Sequence, residues 1–283
     1  MRRRIGLIGA VAVLAAAGCT AGPPAGGGAP VSSPQPATAS PAAAAHRHQH
    51  DAGRAGPADP ARSAEPEGAL VVHADEQVRT AFGILVEKFE AAYPGTDVLV
   101  EFGPSARHAQ HIVAGAAVDV LISGDAAATA RVVSASGGRP SVIARNPLVI
   151  AVARRDGPVH SVADLRRTGV RVAVCAARTR CGDAARSLVD VHPAVTAADG
   201  PAAVAAVRAG TADAALVHRT DIVAARADLP AIDFPAAVQH ADQYTVVRLG
   251  QDDNRTAADA FVAFTHSALA QRVLSDEGFS PAG

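Results

Sequence analysis

Cysteine and histidine are the residues in this chain whose type and spacing most plainly suggest chemistry. Cys19 follows Arg2-Arg3-Arg4, an apolar run over residues 5–17, and Gly18. A basic stretch, an apolar stretch and a small residue before a cysteine read as a bacterial lipoprotein signal, with Cys19 as the lipidated residue. The apolar run is shorter than the ~20 residues a membrane-crossing helix needs. Ala16 stands where such signals usually prefer Leu, and a plain secretory signal or an uncleaved anchor helix are the alternatives. One acyl chain anchors weakly, whereas two or three on one cysteine anchor firmly. Cys175 and Cys181 are the remaining pair, six apart in sequence. In an extracytoplasmic compartment they are expected to form a disulfide, given Cα atoms within about 7 Å; a thiol metal pair with a nearby histidine is the rival. His46, His48 and His50 form a short tract that suits a transition metal or, more simply, a soluble linker. No glycine-rich phosphate loop, nucleophile elbow or Ser-His-Asp or Cys-His spacing is present, so the sequence gives an enzyme little to work with.

Stepping from these residues to the chain that must hold them, residues 19–68 are rich in Pro, Ala, Gly and Ser and read as a flexible tether after a signal over residues 1–18. About 215 residues remain, enough for one two-lobed domain or two small ones. Hydrophobic residues make up 49% of the chain and aromatics 3%, with no Trp, so the core is built from Ala, Val, Leu and Ile. A formal net charge of −1 gives no basic surplus for nucleic acid.

From Leu70 the pattern becomes regular. Leu70-Val71-Val72 is a strand. Val78, Ala81, Phe82, Leu85, Val86 and Phe89 follow at helical spacing, and Tyr93-Pro94-Gly95 closes that helix. Further strands are expected at 98–102, 118–122, 148–153, 170–175, 214–217 and 244–249. Helices are expected at 105–114, 126–135, 183–191 and 201–209, with a short one from Asp221. Ser161 to Asp164 looks like a capped helix start. Two helices close the chain, over 258–269 and from Ala270 through Val273 and Leu274. Strands alternating with helices imply parallel pairing in an α/β fold.

In order along residues 69–280, several segments resemble the molybdate-binding proteins of ABC importers. They include Leu70-Val71-Val72-His73-Ala74, Phe102-Gly103-Pro104-Ser105, Val118-Asp119-Val120-Leu121-Ile122-Ser123-Gly124-Asp125, Ala144-Arg145-Asn146-Pro147-Leu148-Val149, Gly210-Thr211-Ala212-Asp213-Ala214 and Glu277-Gly278-Phe279. The resemblance implies a two-lobed periplasmic-binding-protein-like fold of type II. Residues 69–150 with 248–283 form one lobe and 151–247 the other, joined by crossover strands near Leu148 and Tyr244. It also implies a cleft that holds a tetrahedral oxyanion (molybdate or tungstate) with neutral donors, and delivery to a membrane permease by a monomer anchored on the outer face of the cytoplasmic membrane. Helix N-termini supply such donors, because their first N–H groups lack partners and carry partial positive charge.

By the same resemblance the ligand positions fall on Gln77, Ser105, the backbone of Cys181, Pro201 and His218. Several depart from the family. Gln77 replaces a Ser, with Asp75 and Glu76 beside it. A carboxylate about 4 Å from a unit anion costs about 4 kcal/mol at an effective dielectric near 20. Pro201 has no N–H to offer. His218 replaces a Tyr, and Arg107, His108 and Arg180 are cations either near the ligand or solvated. Two rival readings follow: a cleft retuned for a divalent metal or cationic ligand through His73, Asp75, Glu76, His108 and His218, and an enzyme on the same architecture.

Overall fold

The computed structural model describes residues 65–249 and 254–282. The signal, Cys19, the tether up to residue 64 and the His46–His50 tract lie outside the described residues, and the last residue of the expected tether, Gly68, opens the first strand. In chain order the elements are β1 (Gly68–Asp75), α1 (Arg79–Ala92), β2 (Thr96–Gly103), α2 (Ser105–Val113), β3 (Val120–Ser123), α3 (Ala126–Ser136), β4 (Pro140–Asn146), β5 (Leu148–Val152), β6 (Val172–Cys175), α4 (Arg180–Leu188), β7 (Val195–Ala197), α5 (Gly200–Arg208), β8 (Ala214–His218), α6 (Arg219–Ala224), β9 (Ala231–Ile232), α7 (Pro235–Gln239), β10 (Asp242–Arg248), α8 (Arg255–Thr265) and α9 (Ala268–Asp276).

These elements form two five-stranded sheets, ordered β2-β1-β3-β10-β4 and β7-β6-β8-β5-β9. Each sheet has the same plan. Three parallel strands are followed by one antiparallel crossover strand and one antiparallel edge strand. The crossover strand of each sheet lies next in sequence to the last strand of the other: β4 runs through Pro147 into β5, and the chain returns from β9 to β10. The change of sheet therefore falls at Pro147 and near Ala241, a few residues before the expected boundaries at 150 and 248. β5 pairs with β8 over its whole length and β10 with β3, so hydrogen bonding rather than sequence order decides which lobe owns each strand.

Burial explains why these segments are strands. β3, β5, β6 and β8 are buried at every position, as central strands covered on both faces must be. In the first lobe Leu70, Val72 and Ala74 face a core with Phe82, Phe89 and Phe261, while Leu121 and Val247 pack on the opposite face against α2 and α3. The rings of Phe89 and Phe261 meet edge-on at 5.1 Å. The second lobe's core is almost entirely Val, Ala, Leu and Ile around β5 and β8.

Three local expectations shift. α4 starts at Arg180, not at residue 183, because the Thr179 hydroxyl accepts the Gly182 N–H at 3.1 Å and caps the helix earlier. Ser161 to Asp164 opens a 3-10 turn rather than an α-helix, with the Asp164 carboxylate accepting the N–H groups of His160 and Ser161. The closing helices break at His266 and Ser267, since Ser267 caps α9 by accepting the Ala270 N–H.

Candidate functional site

In open parallel sheets, ligands collect beyond the carboxyl ends of the strands. Here β1, β3, β6 and β8 end in Asp75, Ser123, Cys175 and His218. β1 and β3 deliver the first lobe's contribution, β6 and β8 the second's. Among the described residues the two sets meet in one hydrogen-bonded cluster.

Arg180 is the centre of that cluster. As the first residue of α4, it extends from the second lobe to the first. Its Nη2 lies 3.5 Å from Asp75 Oδ2, and its Nη1 lies 3.1 Å from Asp242 Oδ2 and 3.4 Å from Tyr244 Oη. Its Cζ sits 5.5 Å from the Tyr244 ring centre. Burial opposes the Arg180 charge, but Tyr244, Asp75, Asp242 and Asp125 together hold its pKa above the ordinary arginine value.

Asp75 is buried at the end of β1. It accepts a short hydrogen bond from Ser105 Oγ and a second from the Gln77 N–H at 3.1 Å. Ser105 Oγ in turn accepts the Gly124 N–H at 3.3 Å. Gln77 is held through its side chain, where Oε1 accepts the Tyr244 hydroxyl at 2.6 Å. Burial pushes the Tyr244 phenol far above its usual pKa, so it stays neutral and donates. Gly124 permits this packing: a Cβ there would fall 2.6 Å from the Tyr244 ring and 2.8 Å from Arg180 Nη1.

On the second lobe His218 closes the cluster. Its Nε2 lies 3.5 Å from Asp242 Oδ2, and its Nδ1 is buried without a hydrogen-bond partner, 3.8 Å from the Asp221 carboxylate. Burial opposes ionisation of Asp242, but the hydrogen bond and charge of His218 and the Arg180 guanidinium outweigh it, leaving its pKa below the usual carboxylate value. Asp221 has the opposite balance. Burial raises its pKa, and its carboxylate accepts the His218 N–H at 2.9 Å.

Cys175 and Cys181 are joined by a disulfide with Cα atoms 5.8 Å apart. The bridge closes the short loop that carries Thr179 and Arg180 into α4. The N–H groups of Arg180 and Cys181 form no hydrogen bond among the described residues, as the first turn of a helix requires. In the chain-entropy picture so small a loop contributes about 2 kcal/mol. The paired substitution Cys175→Ser with Cys181→Ser is expected to lower stability by about that amount, measured as the shift of the urea unfolding curve.

Of the sequence-derived ligand positions, Gln77, Ser105 and His218 lie within this cluster, and Cys181 follows Arg180 in the same turn. Pro201 stands apart. The start of α5 is served from within the chain, because Asp199 accepts the Ala202 N–H at 2.8 Å and the Asp221 carboxylate lies against Gly200. The residues of the metal reading are spread over three places. Asp75 and His218 belong to the cluster. Glu76 forms an exposed pair with Arg79 at 2.7 Å. The rings of His73 and of His108, on α2, lie 4.6 Å apart and tilted by 47°; His108 Nε2 bonds Ala74 O and His73 Nε2 faces Glu101. Burial lowers the pKa of both imidazoles, which favours neutral core histidines. Among the described residues no group of three or more His, Cys, Asp or Glu is arranged to hold a metal ion. Arg107 pairs with the half-exposed Glu101 at 3.1 Å and does not join Arg180. Sequence reasoning singled out Arg180 but missed Asp242, Tyr244 as a side-chain donor, and Gly124. Only the pairing of β10 between β3 and β4 brings Asp242 and Tyr244 to Arg180.

A cavity of about 500 Å³ adjoins the cluster, lined from both lobes by Gly124, Asp125, Arg180, Asp183, His240 and Asp242. A somewhat larger one, about 570 Å³, is bordered by Arg155, Arg219, Asp228 and Asp276. It shares no residue with the cluster, so the smaller cavity is the candidate ligand entrance.

The chain is similar to known proteins over most of its length. Residues 70–280 match the family model described as bacterial extracellular solute-binding protein. The molybdate-binding protein ModA of Mycobacterium tuberculosis is 32% identical over 234 residues, covering 80% of this chain and 87% of that protein. Among solved structures, the substrate-binding domain of a proposed molybdenum ABC transporter from Clostridium difficile superposes with a TM-score of 0.63 at 22% identity, over 75% of this chain and 98% of that one. The sulfate-binding protein SubI of M. tuberculosis gives a TM-score of 0.56 at 17% identity, over 76% and 87%. At these identities the solved structures establish the two-lobed fold alone.

Proposed function

From the premise that this chain belongs to the family of bacterial extracellular solute-binding proteins, we propose that it is the solute receptor of an ABC importer and that its solute is a tetrahedral oxyanion, molybdate or tungstate first. The observation that carries this reading is the seam itself. Ser105, which opens α2, and Arg180, which opens α4, both bond Asp75 from opposite lobes. Two helix starts, a hydroxyl and a guanidinium thus share one small polar volume, the donor set that an oxyanion needs. Closing the lobes over a bound anion would bury it and create a shape for a permease to recognise. The protein acts as a binding component and not as an enzyme. It is held outside the cytoplasmic membrane through lipid on Cys19 and the tether of residues 19–68, and works as a monomer.

Calorimetric titration of the purified protein with molybdate, tungstate, sulfate and zinc in turn tests the reading. Molybdate binding in the micromolar range or tighter (about −8 kcal/mol or stronger) that persists in chelator is expected. Binding of zinc and of no oxyanion would replace this reading with the metal one.

A further inference from the structure

We infer that the His73–His108 pair is an acid-sensitive lock: while both rings are neutral it keeps α2 docked on β1, and their protonation undocks the start of that helix and releases Ser105 from Asp75. The inference concerns the first lobe's own hold on the seam and does not depend on the identity of the solute. Three contacts join the end of β1 to the start of α2. Ser105 Oγ donates to Asp75, His108 Nε2 bonds the Ala74 carbonyl at 3.1 Å, and the rings of His73 and His108 lie 4.6 Å apart. These contacts form neighbouring layers. His73 stands two residues before Asp75 on one face of the strand, and His108 three residues after Ser105 on one face of the helix. A carbonyl can only accept, so His108 Nε2 carries the ring proton and Nδ1 is a bare lone pair. Among the described residues, neither that atom nor His73 Nδ1 has a hydrogen-bond partner, and both rings are buried.

A proton on either Nδ1 would create a buried, charged N–H with no acceptor, and protons on both would set two like charges face to face. The surroundings offer little relief. Glu101 on β2 lies 3.4 Å from His73 Nε2, but it is half-exposed and already paired with Arg107 at 3.1 Å. α2 adds only positive or neutral groups, Arg107 and His111, the latter with its ring 6.5 Å from that of His73. On β1 the Asp75 carboxylate is bonded by Ser105, the Gln77 N–H and Arg180, and near β3 Asp119 accepts the Val71 N–H, two residues before His73. Burial depresses the pKa of both rings. His108 adds to the effect on His73, and for His108 burial outweighs the Ala74 bond. A depressed imidazole pKa means that the folded lobe binds fewer protons than the unfolded chain. Stability is therefore lost as pH falls below the ordinary imidazole value of 6.5. Lifting α2 is the most direct way to hydrate both rings, because His108 rides on that helix and no side chain caps its first turn. Ser105, the first residue of α2, leaves Asp75 in the same movement.

Amide hydrogen exchange of the intact protein at about pH 7.5 and about pH 5.5, corrected for the intrinsic rates, tests the lock. Protection of the α2 amides, and of the Gly124 N–H that bonds Ser105 Oγ, is expected to fall at least ~10-fold more than that of α8 in the same lobe. The factor follows from linkage, since each imidazole kept neutral costs ~10-fold per pH unit below its unfolded value. His73→Gln combined with His108→Gln keeps amide donors for Glu101 and the Ala74 carbonyl but cannot take up a proton, so it should abolish the difference between α2 and α8. In the wild type alone, no loss of protection or an equal loss in α2 and α8 overturns the inference, with no variant required to fold. Loosening of α2 while Gly124 keeps its protection breaks the link to the seam and overturns it as well. A double variant whose α2 still loosens in acid overturns the assignment to the two histidines. No solute enters these measurements, so they stand or fall apart from the calorimetry that tests the proposed function.

Discussion

Replacing Arg180 with methionine is expected to reduce molybdate affinity at least ~100-fold, the largest functional effect of any single change in this protein. The reason is the number of roles one guanidinium fills. It spans the seam to Asp75, bonds Asp242 and Tyr244, and lies over the tyrosine ring. Methionine keeps much of the side chain's length and apolar stem but leaves Asp75 without its cation and Asp242 with His218 alone. Truncating one partner of a buried ion pair costs about 3–5 kcal/mol. The Arg180 side chain keeps 25% of its exposure, so about 2 kcal/mol of stability is the realistic figure here. Lysine should recover only part of the affinity, since a point charge cannot reach Asp75 and Asp242 as a planar fork does. Calorimetry gives the affinity and a thermal melt the stability. A methionine variant that binds molybdate like the wild type would show that Arg180 only braces the lobes.

The architecture was largely legible in the sequence because its signals are local. The alternation of apolar runs and helical spacings from Leu70 to Leu274 reflects burial, and central strands such as β5 and β8 bury every residue. The helix start at Ser105 was readable too, whereas that of α4 was expected three residues late, at 183 instead of Arg180. What the sequence could not show was the seam, because its contacts join residues far apart in the chain. Asp75 reads as an obstacle to an anion when considered alone. Its partners, 30 residues away at Ser105 and 105 away at Arg180, show instead a carboxylate integrated into a network. Asp242 and Tyr244 were invisible as site residues for the same reason. Pro201 is the converse case. The resemblance aligns it with a ligand position, yet Asp199 caps the start of α5 and the Asp221 carboxylate lies against Gly200.

That use of Asp221 leads to a second large effect, on stability. Gly200→Ala is expected to destabilise the fold by about 3 kcal/mol, although alanine is the better helix former. A Cβ at residue 200 would lie 2.1 Å from Asp221 Cγ and 2.2 Å from its Oδ2. The carboxylate is buried and accepts the His218 N–H, so it has little room to retreat. Overpacking a filled site costs about 1–3 kcal/mol. Losing a hydrogen bond to a charged acceptor costs about 1.5–3 kcal/mol more, reduced where the carboxylate can move and keep part of the contact. Gly83→Ala is the control. Gly83 also lies within a helix, but nothing stands within 4 Å of its Cβ position, so alanine there should stabilise by about 0.5–1 kcal/mol. The opposite signs separate the cost of the Asp221 contact from the general preference of helices for alanine. Urea unfolding of both variants measures the difference. A Gly200→Ala protein as stable as the wild type would mean that Asp221 moves freely, and that His218 is not held beside Asp242 by the turn beneath it.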